Sequence, residues 1–353
     1  MARIFTYGFE NRYSKSTTYS MDGTFDGIPF VNYVNHYNLW ESGRVEGYCM
    51  TFKTSYANYY GYMNLTETVI GANDEIYIRL WLRSNKATTN CDFLTVFSDS
   101  NNLCKLKITP TAETDIFLIE LDDTSGNSIY TSYGLAVGTW YKVDLKVKIG
   151  ELGQITLKLN DRTLYDVTHS LGTTKINNIK IGGVKYYAGN GSVSIDDIAI
   201  NNNLGATHNS WCGNGYVKKL IPIANGSKVE FTPSANTNYN NLIEDISDGV
   251  TTNNSTDIVG ATDLFSLTKL APTLGDNTKL NYCRLYVNAC YTENGVSLIP
   301  VIKDGDQERT LETLQLSLKY AFKYYDILNN PNTSLPYTCG ELDKLEFGYR
   351  NGG

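Results

Sequence analysis

One stretch, residues 138–200, constrains the fold of this 353-residue chain more than any other. From Tyr141 to Ile149, apolar residues alternate with lysines and an aspartate. This period of two places one face of a strand in a core and the other in water. A short turn at residues 150–153 leads into a second alternating run, residues 155–159. The pair predicts an antiparallel hairpin.

The apolar phase changes within the last run of that stretch. Val193 and Ile195 share one phase, whereas Ile198 continues in the other. A jump of this kind predicts a β-bulge at Asp196 and Asp197. Two adjacent carboxylates are therefore expected at an irregular point of the sheet.

Other segments repeat the strand pattern and indicate an all-β protein. Residues 76–82 alternate clearly, and their second face, from Tyr77 to Arg83, is amphipathic, so loops or a partner could cover it. The 27 tyrosines and 30 glycines favour strands and turns over helices. A polar, aperiodic segment at residues 201–209 predicts a domain boundary, which gives a sandwich over residues 1–204 and a smaller β-domain over residues 205–353.

Charge and motifs exclude several classes of function. A net charge of −7 and a pI near 5.1 argue against nucleic-acid binding, which needs clustered cations. The sequence shows neither a signal peptide nor a membrane-spanning segment, so no membrane insertion is expected. Seven cysteines without a C-x-x-C fit synthesis in a reducing cytoplasm.

The order of these parts resembles two groups of proteins. The strand start at residues 138–141 and the late strand at residues 195–198 resemble a laminin-G or concanavalin-like jelly roll. The motifs that follow resemble the C-terminal domain found after a jelly roll in virion proteins of tailed bacteriophages; they lie at residues 209–211, 220–222, 231–234, 257–265, 330–333 and 346–348. The fold class implied is an N-terminal concanavalin-like jelly-roll sandwich with a smaller C-terminal β-sandwich-like domain for virion attachment.

The resemblance implies a structural protein of a phage particle, exposed on the head, as decoration or fibre, or on the tail or baseplate. Its partners would be other virion proteins and a host-surface carbohydrate bound by the jelly roll, with a homo-oligomer as a further hypothesis. It would be made in the host cytoplasm and reside in the virion. The alternatives are a pure decoration or scaffold protein without a ligand, a glycan-degrading depolymerase, and a cellular surface lectin, which would normally carry a signal peptide.

Four tyrosines crowd into residues 56–62 and are the candidate carbohydrate-binding residues: Tyr56, Tyr59, Tyr60 and Tyr62. They are too many for one buried face of a strand, so some should reach the surface. They either pack over a sheet edge with wet hydroxyls or form a platform on which sugars stack.

Catalysis has weak support in the sequence. Concanavalin-like glucanases carry E-x-D-x-x-E on one strand, because retaining hydrolysis needs two carboxylates on one face. Here Glu120 and Asp122 match the first two acids, but the third is missing, and solvated acids at a strand end are expected instead. The three histidines form no recognisable site. The sequence therefore predicts a protein that is not an enzyme.

Calcium is the candidate ion, since relatives of this fold often hold it with loop carboxylates. Glu10, Asp196 and Asp197 offer hard oxygen ligands for such a site. The alternative is that Asp196 caps backbone amides at the bulge while Asp197 is solvated.

Two features of the second domain are also predicted. Residues 311–327 fit both strand and helix periods, and their aromatic content favours a strand. Thr338 and Glu341 have the spacing of a capping box at the start of a short helical turn.

Overall fold

A computed structural model describes residues 3–8, 23–25, 28–32, 36–45, 48–54, 60–187, 191–205, 208–235, 237–242, 252–281, 283–290, 297–316, 318, 321–327 and 329–353. The chain divides into two compact units, residues 1–218 and residues 219–353. Glu10, Tyr56 and Tyr59 lie outside the described residues.

In its described residues, the first unit consists of strands with one helical turn. In chain order these are β1 (Arg3–Tyr7), β2 (Gly23–Phe25), β3 (Ile28–Asn32), β4 (His36–Ser42), β5 (Tyr48–Thr54), β6 (Gly61–Leu65), α1 (Glu67–Ile70), β7 (Glu75–Ser84), β8 (Cys91–Ser98), β9 (Asn101–Pro110), β10 (Ile116–Asp122), β11 (Ser128–Thr131), β12 (Leu135–Ala136), β13 (Tyr141–Lys148), β14 (Gly153–Leu159), β15 (Arg162–His169), β16 (Asn178–Tyr186) and β17 (Gly191–Asn202).

These strands form two antiparallel sheets that share one core. The first sheet has the order β15-β14-β13-β7-β17-β5-β4, with β1 paired to β17. The second has the order β11-β10-β9-β8-β16-β6-β3-β2, with β12 paired to β10. Apolar side chains from both sheets alternate inward into a continuous hydrophobic cluster. The unit is a jelly-roll sandwich, which confirms the predicted all-β class.

The bulge predicted in β17 is present. The register between β17 and β7 shifts between Asp196 and Ala199, and Asp197 has a φ of 48°. Because the bulge absorbs the extra residue, Ile195 and Ile198 both point into the core, and both are fully buried.

The outer face of the first sheet is not solvated as the sequence pattern predicted. Lys142 and Asp144 on β13 are only 2% and 4% exposed. The chain after β17 returns over this face: the indole of Trp211 lies edge-on to Tyr77 at 5.4 Å between ring centroids, and Arg79 Nη1 donates to the carbonyl of Gly213 at 3.0 Å. Residues 208–218 therefore pack with the first unit, whereas the sequence placed the boundary at residue 204.

The second unit is built around one antiparallel sheet of order β18-β21-β27-β23-β24, with β25 paired to β23. Two further ladders join β19 to β20 and β22 to β26. The elements are β18 (Pro222–Val229), β19 (Thr232–Pro233), a 3-10 turn (Asn240–Leu242), β20 (Asn254–Ser255), β21 (Thr262–Leu267), α2 (Ala271–Leu274), β22 (Arg284–Ala289), β23 (Ser297–Asp304), β24 (Gln307–Thr310), β25 (Leu314–Gln315), β26 (Ala321–Asp326), α3 (Cys339–Leu342) and β27 (Glu346–Asn351).

The local predictions for the second unit fare differently. The capping box is confirmed: Thr338 Oγ1 accepts from the amide of Glu341 at 3.2 Å, and Glu341 Oε2 accepts from the amide of Thr338 at 2.8 Å. The preference for strand over helix in residues 311–327 is confirmed, but the segment is not one continuous strand, because the structure has two short strands there, β25 and β26. They pair with different partners, β23 and β22. No helix in the described part of the chain is long and apolar enough to cross a membrane.

Candidate functional site

The outward face of the second sheet carries rows of charged and polar side chains. Because β10, β9, β8, β16 and β6 are neighbours, paired residues line up across the strands. One row consists of Glu120, Lys107, Asp92 and Lys185. The next row consists of Asp122, Lys105, Thr95, Lys180 and Asn64. We call these nine residues the polar face.

Strict alternation in β9 and β10 produces their part of this surface. On β9, Cys104 and Leu106 enter the core, so Lys105 and Lys107 point outward. On β10, Ile119 and Leu121 enter the core, and the acids beside them point outward opposite the lysines.

The polar face is outward, yet three of its side chains are almost hidden from water. Asp92, Thr95 and Asp122 are 5%, 4% and 3% exposed. Carboxylates at such low exposure need partners to remain charged, and lysines supply them. Lys107 Nζ, for example, lies 2.7 Å from Glu120 Oε2.

Lys105 is the centre of the polar face. Its Nζ lies 3.4 Å from Asp92 Oδ2 and 3.3 Å from Asp122 Oδ2, and it donates to Tyr187 Oη at 3.0 Å. Tyr187, the residue after β16, donates its own hydroxyl proton to Asp92 Oδ2 at 2.8 Å. One ammonium, one phenol and two carboxylates thus form a connected network of hydrogen bonds and ion pairs.

Burial and mutual charge shift the ionisation of this network. Burial raises the pKa of the Asp92 carboxyl, and the Lys105 ammonium only partly offsets the effect. Burial also raises the pKa of the Tyr187 phenol. Burial alone would lower the pKa of Lys105, but its bonds to Tyr187 and Asp92 prevail and raise it. Lys105 is therefore charged and Tyr187 protonated at neutral pH.

Lys180 differs from the other buried lysines of this face. Its Nζ lies 5.0 Å from the ring centroid of Tyr62 and 4.8 Å from that of Phe97. Among the residues that the structure describes, no carboxylate pairs with it, and burial lowers its pKa. Within the described residues, Lys180 is therefore a cation without a counter-ion.

Several oxygens on this surface find no hydrogen-bond donor within the described residues. They are Asn64 Oδ1, Asp92 Oδ1, Thr95 Oγ1, Asp122 Oδ1 and, beside Phe97, Asn178 Oδ1. Buried acceptors of this kind normally have partners, so each of these oxygens has room in its hydrogen-bonding capacity for a donor from water or from a ligand hydroxyl group.

The tyrosines predicted to bind carbohydrate are partly accounted for. The rings of Tyr60 and Tyr62 lie 5.7 Å apart and are tilted by 41°. Tyr62 belongs to the rim of the polar face through its contact with Lys180. Tyr56 and Tyr59 lie outside the described residues, so their role stays a prediction.

The two acids weighed for catalysis both lie on the polar face. The expectation that Asp122 is solvated is wrong, because β9 and Lys105 cover it. Asp122 is paired with Lys105, and Glu120 is paired with Lys107. The two acids are therefore neutralised by lysines and do not form the free pair of carboxylates that retaining hydrolysis needs.

The carboxylates proposed for calcium meet nitrogen donors instead. Asp197 Oδ2 accepts from Arg44 Nε at 3.0 Å, and its Oδ1 accepts from the amide of Val217 at 2.6 Å. Asp196 accepts from the amides of Arg44 and Asp197. These contacts do not fit a cation site, and no group of three metal-ligating side chains occurs in the described ranges. With Glu10 outside those ranges, calcium binding stays a prediction.

Sequence reasoning missed most of the site. The alternating pattern does place the lysines of β9 and the acids of β10 on the outward face. Pairing these two strands as a hairpin would have predicted that the lysines and the acids lie side by side. Asp92 and Tyr187 gave no such signal: Asp92 precedes a bulge in β8, and Tyr187 follows the end of β16. Their meeting depends on tertiary structure.

No protein-family model and no curated protein sequence matches the chain. Among solved structures, it is similar to an endo-β-1,4-glucuronan lyase from the fungus Trichoderma reesei (10% identity, 56% of this chain and 95% of that one, TM-score 0.39). It is also similar to the cellulose induced protein Cip1 (13%, 60% and 100%, TM-score 0.42). A third is domain 4 of AbnA, a GH43 extracellular arabinanase from Geobacillus stearothermophilus, in complex with arabinotriose (13%, 57% and 92%, TM-score 0.38).

These comparisons correct one prediction. The sequence predicted that the chain is not an enzyme, yet the first of these similar structures is a polysaccharide lyase. The lack of an E-x-D-x-x-E strand excludes only one hydrolytic mechanism. The prediction that the chain is not an enzyme was therefore too broad and does not stand.

Replacing Asp196 with Asn should change how stability depends on pH. Burial, reinforced by the charge of Asp197, raises the pKa of Asp196 to about 7. The folded state then binds more protons than the unfolded state between about pH 4 and about pH 7, so this carboxyl costs stability as pH rises through that window.

Denaturant unfolding from pH 4 to pH 8 measures the effect. Asp196→Asn should gain stability relative to the parent protein as pH rises, by up to about 4 kcal/mol. A difference between the two proteins that is constant over this range would contradict the assignment.

Proposed function

We propose that the polar face binds a polysaccharide. The observation that carries this proposal is the set of oxygens on Asn64, Asp92, Thr95 and Asp122 that have no donor within the described residues. A sugar presents several hydroxyl donors at short spacing, and binding would satisfy acceptors that are otherwise costly to bury. The strands hold these acceptors on a rigid sheet, which limits the ordering cost of binding.

The charge of Lys180 indicates which charge the ligand carries. An ammonium with no counter-ion among the described side chains, beside unsatisfied acceptors on Thr95 and Asn64, suits a sugar that carries both hydroxyls and a carboxylate. Lys105 and Lys107 are paired with acids and hold those acids in place. The ligand class is therefore an acidic polysaccharide containing uronic acid.

Aromatic rings border the same surface. Tyr62 and Phe97 flank Lys180, and Tyr187 stands at the other end with Lys185 Nζ 4.9 Å from its ring centroid. Rings with a polar rim suit the apolar C–H faces and hydroxyl edges of a sugar.

Replacing Lys180 with Met should weaken binding of uronic-acid oligosaccharides by at least about tenfold, because the substitution removes the cation and keeps the apolar stem. Isothermal titration calorimetry measures the change. Lys148→Met, an exposed lysine on the first sheet, is the matched control and should leave affinity within about twofold. Equal affinities for both variants and the parent would contradict the role of Lys180.

A second candidate function is β-elimination on the same ligand, favoured by the contact between Tyr187 and Asp92. Asp92 would take the proton from the carbon next to the uronate carboxyl. The released electron pair forms a carbon–carbon double bond, the glycosidic C–O bond breaks, and the leaving oxygen takes the Tyr187 proton. The proton on Asp92 then returns to Tyr187 along their hydrogen bond, while Lys105 stabilises the transient phenolate.

Under this second candidate, Tyr187→Phe should reduce formation of the unsaturated product by about two to four orders of magnitude, because it removes the proton donor. The ultraviolet absorbance of unsaturated uronate measures the rate, and calorimetry checks that binding persists. Absence of product from the parent protein with every polyuronate tried would reject elimination and leave the binding proposal intact.

The setting of this binding is the surface of a tailed-phage particle, where the protein contacts other virion proteins and meets host-surface glycans. The order of short motifs over residues 209–348 supports this setting through its resemblance to phage virion proteins. Antibody labelling of intact particles in the electron microscope should place the protein on the head or tail. Unlabelled particles that lack the chain by mass spectrometry would contradict the proposal.

A further inference from the structure

A cavity of about 400 Å³ opens at one end of the second sheet. It is formed by the turn between β8 and β9, the β10–β11 turn and the chain after β15, with Asn102, Thr124 and Ser170 among its lining residues. A volume of this size lies within the usual range for small-ligand sites.

The cavity adjoins the polar face. Asn102 pairs with Phe97 across β9 and β8, and the Phe97 ring contacts Lys180. Thr124 follows the polar-face residue Asp122 two positions along the chain. Thr95 of the Lys180 row and Phe97 are two residues apart on β8, a spacing of about 7 Å, and Phe97 pairs with the lining residue Asn102, so the cavity lies one step beyond that row. A chain bound along the sheet would place successive sugar rings at the two positions.

The lining of the cavity differs from the polar face in charge. All of its lining residues lie in the described range 98–174, and none of them carries a charged side chain. Hydroxyl groups of Ser100, Thr124 and Ser170 line it beside the apolar Leu103 and Leu171. Asn102 Oδ1 has no donor within the described residues. This combination suits a ring with hydroxyl edges and an apolar face but offers nothing to neutralise a carboxylate.

We infer that the cavity is a subsite for a neutral sugar ring, adjacent to the acidic sugar at Lys180. This inference rests on the proposed binding of acidic polysaccharide and narrows its ligand to a heteropolysaccharide that contains both uronic acid and neutral sugars. A uronate forced into the cavity would lose hydration of its carboxylate without gaining a cation.

Calorimetry with the full chain tests the composition of the ligand. The probes are equal-length oligosaccharides of pure uronic acid and of uronic acid alternating with neutral hexose. The alternating probe should bind at least about tenfold more tightly. Thr124→Trp, which fills the cavity, and Asn102→Leu, which removes the acceptor, should abolish this preference without changing affinity for the pure uronate. Thr163→Trp, an exposed position on β15, is the control and should keep the preference.

Methyl NMR separates the two levels of the proposal. A neutral disaccharide should shift the methyl signals of Leu103 and Leu171, whereas pure uronate should shift that of Thr95. Loss of only the leucine response, or a preference that survives both cavity variants, overturns the neutral subsite and leaves the proposed function standing. Loss of only the Thr95 response rejects the acidic polysaccharide.

Discussion

The charge balance of the second sheet's outer surface depends on the contacts that the ammonium of Lys105 makes. This ammonium lies within salt-bridge distance of Asp92 and Asp122, two carboxylates with almost no exposure, and bonds to Tyr187 as well. Without this cation two buried charges would lack compensation, a cost of several kcal/mol in protein interiors. The order β10-β9-β8 is what lets one lysine reach acids on both neighbours. The order of the strands therefore determines which charged groups meet at the site.

Lys105 and Lys180 occupy the same row of the sheet but have different roles. The first is saturated by protein groups, which fixes its position and raises its pKa. The second lies between two aromatic rings, and burial lowers its pKa because no described carboxylate opposes the effect. A cation that is paired with protein acids stabilises the surface around it. A cation that lacks such partners can instead gain favourable free energy by pairing with an incoming anion.

Sequence patterns predicted what depends on neighbours along the chain. The bulge at Asp196 and Asp197 and the capping box at Thr338 follow from local phase and spacing, and both are confirmed. What the patterns could not predict depends on distant segments. Lys142 appeared solvated because nothing in β13 reveals that the chain after β17 returns to cover it. The contact of Tyr187 with Asp92 was not predicted for the same reason, because the two residues are 95 positions apart in the sequence.

The covering of the first sheet also decides where a ligand can bind. That sheet carries outward charges too, but its own chain occupies them: Arg79 donates to the carbonyl of Gly213, and Lys142 bonds to Asn214. Asp144 beneath them pairs with Lys142 at 3.6 Å. The second sheet also carries outward charges, yet several of its acceptors lack donors among the described residues. Because residues 208–218 cover part of the first sheet, the proposed ligand site lies on the second.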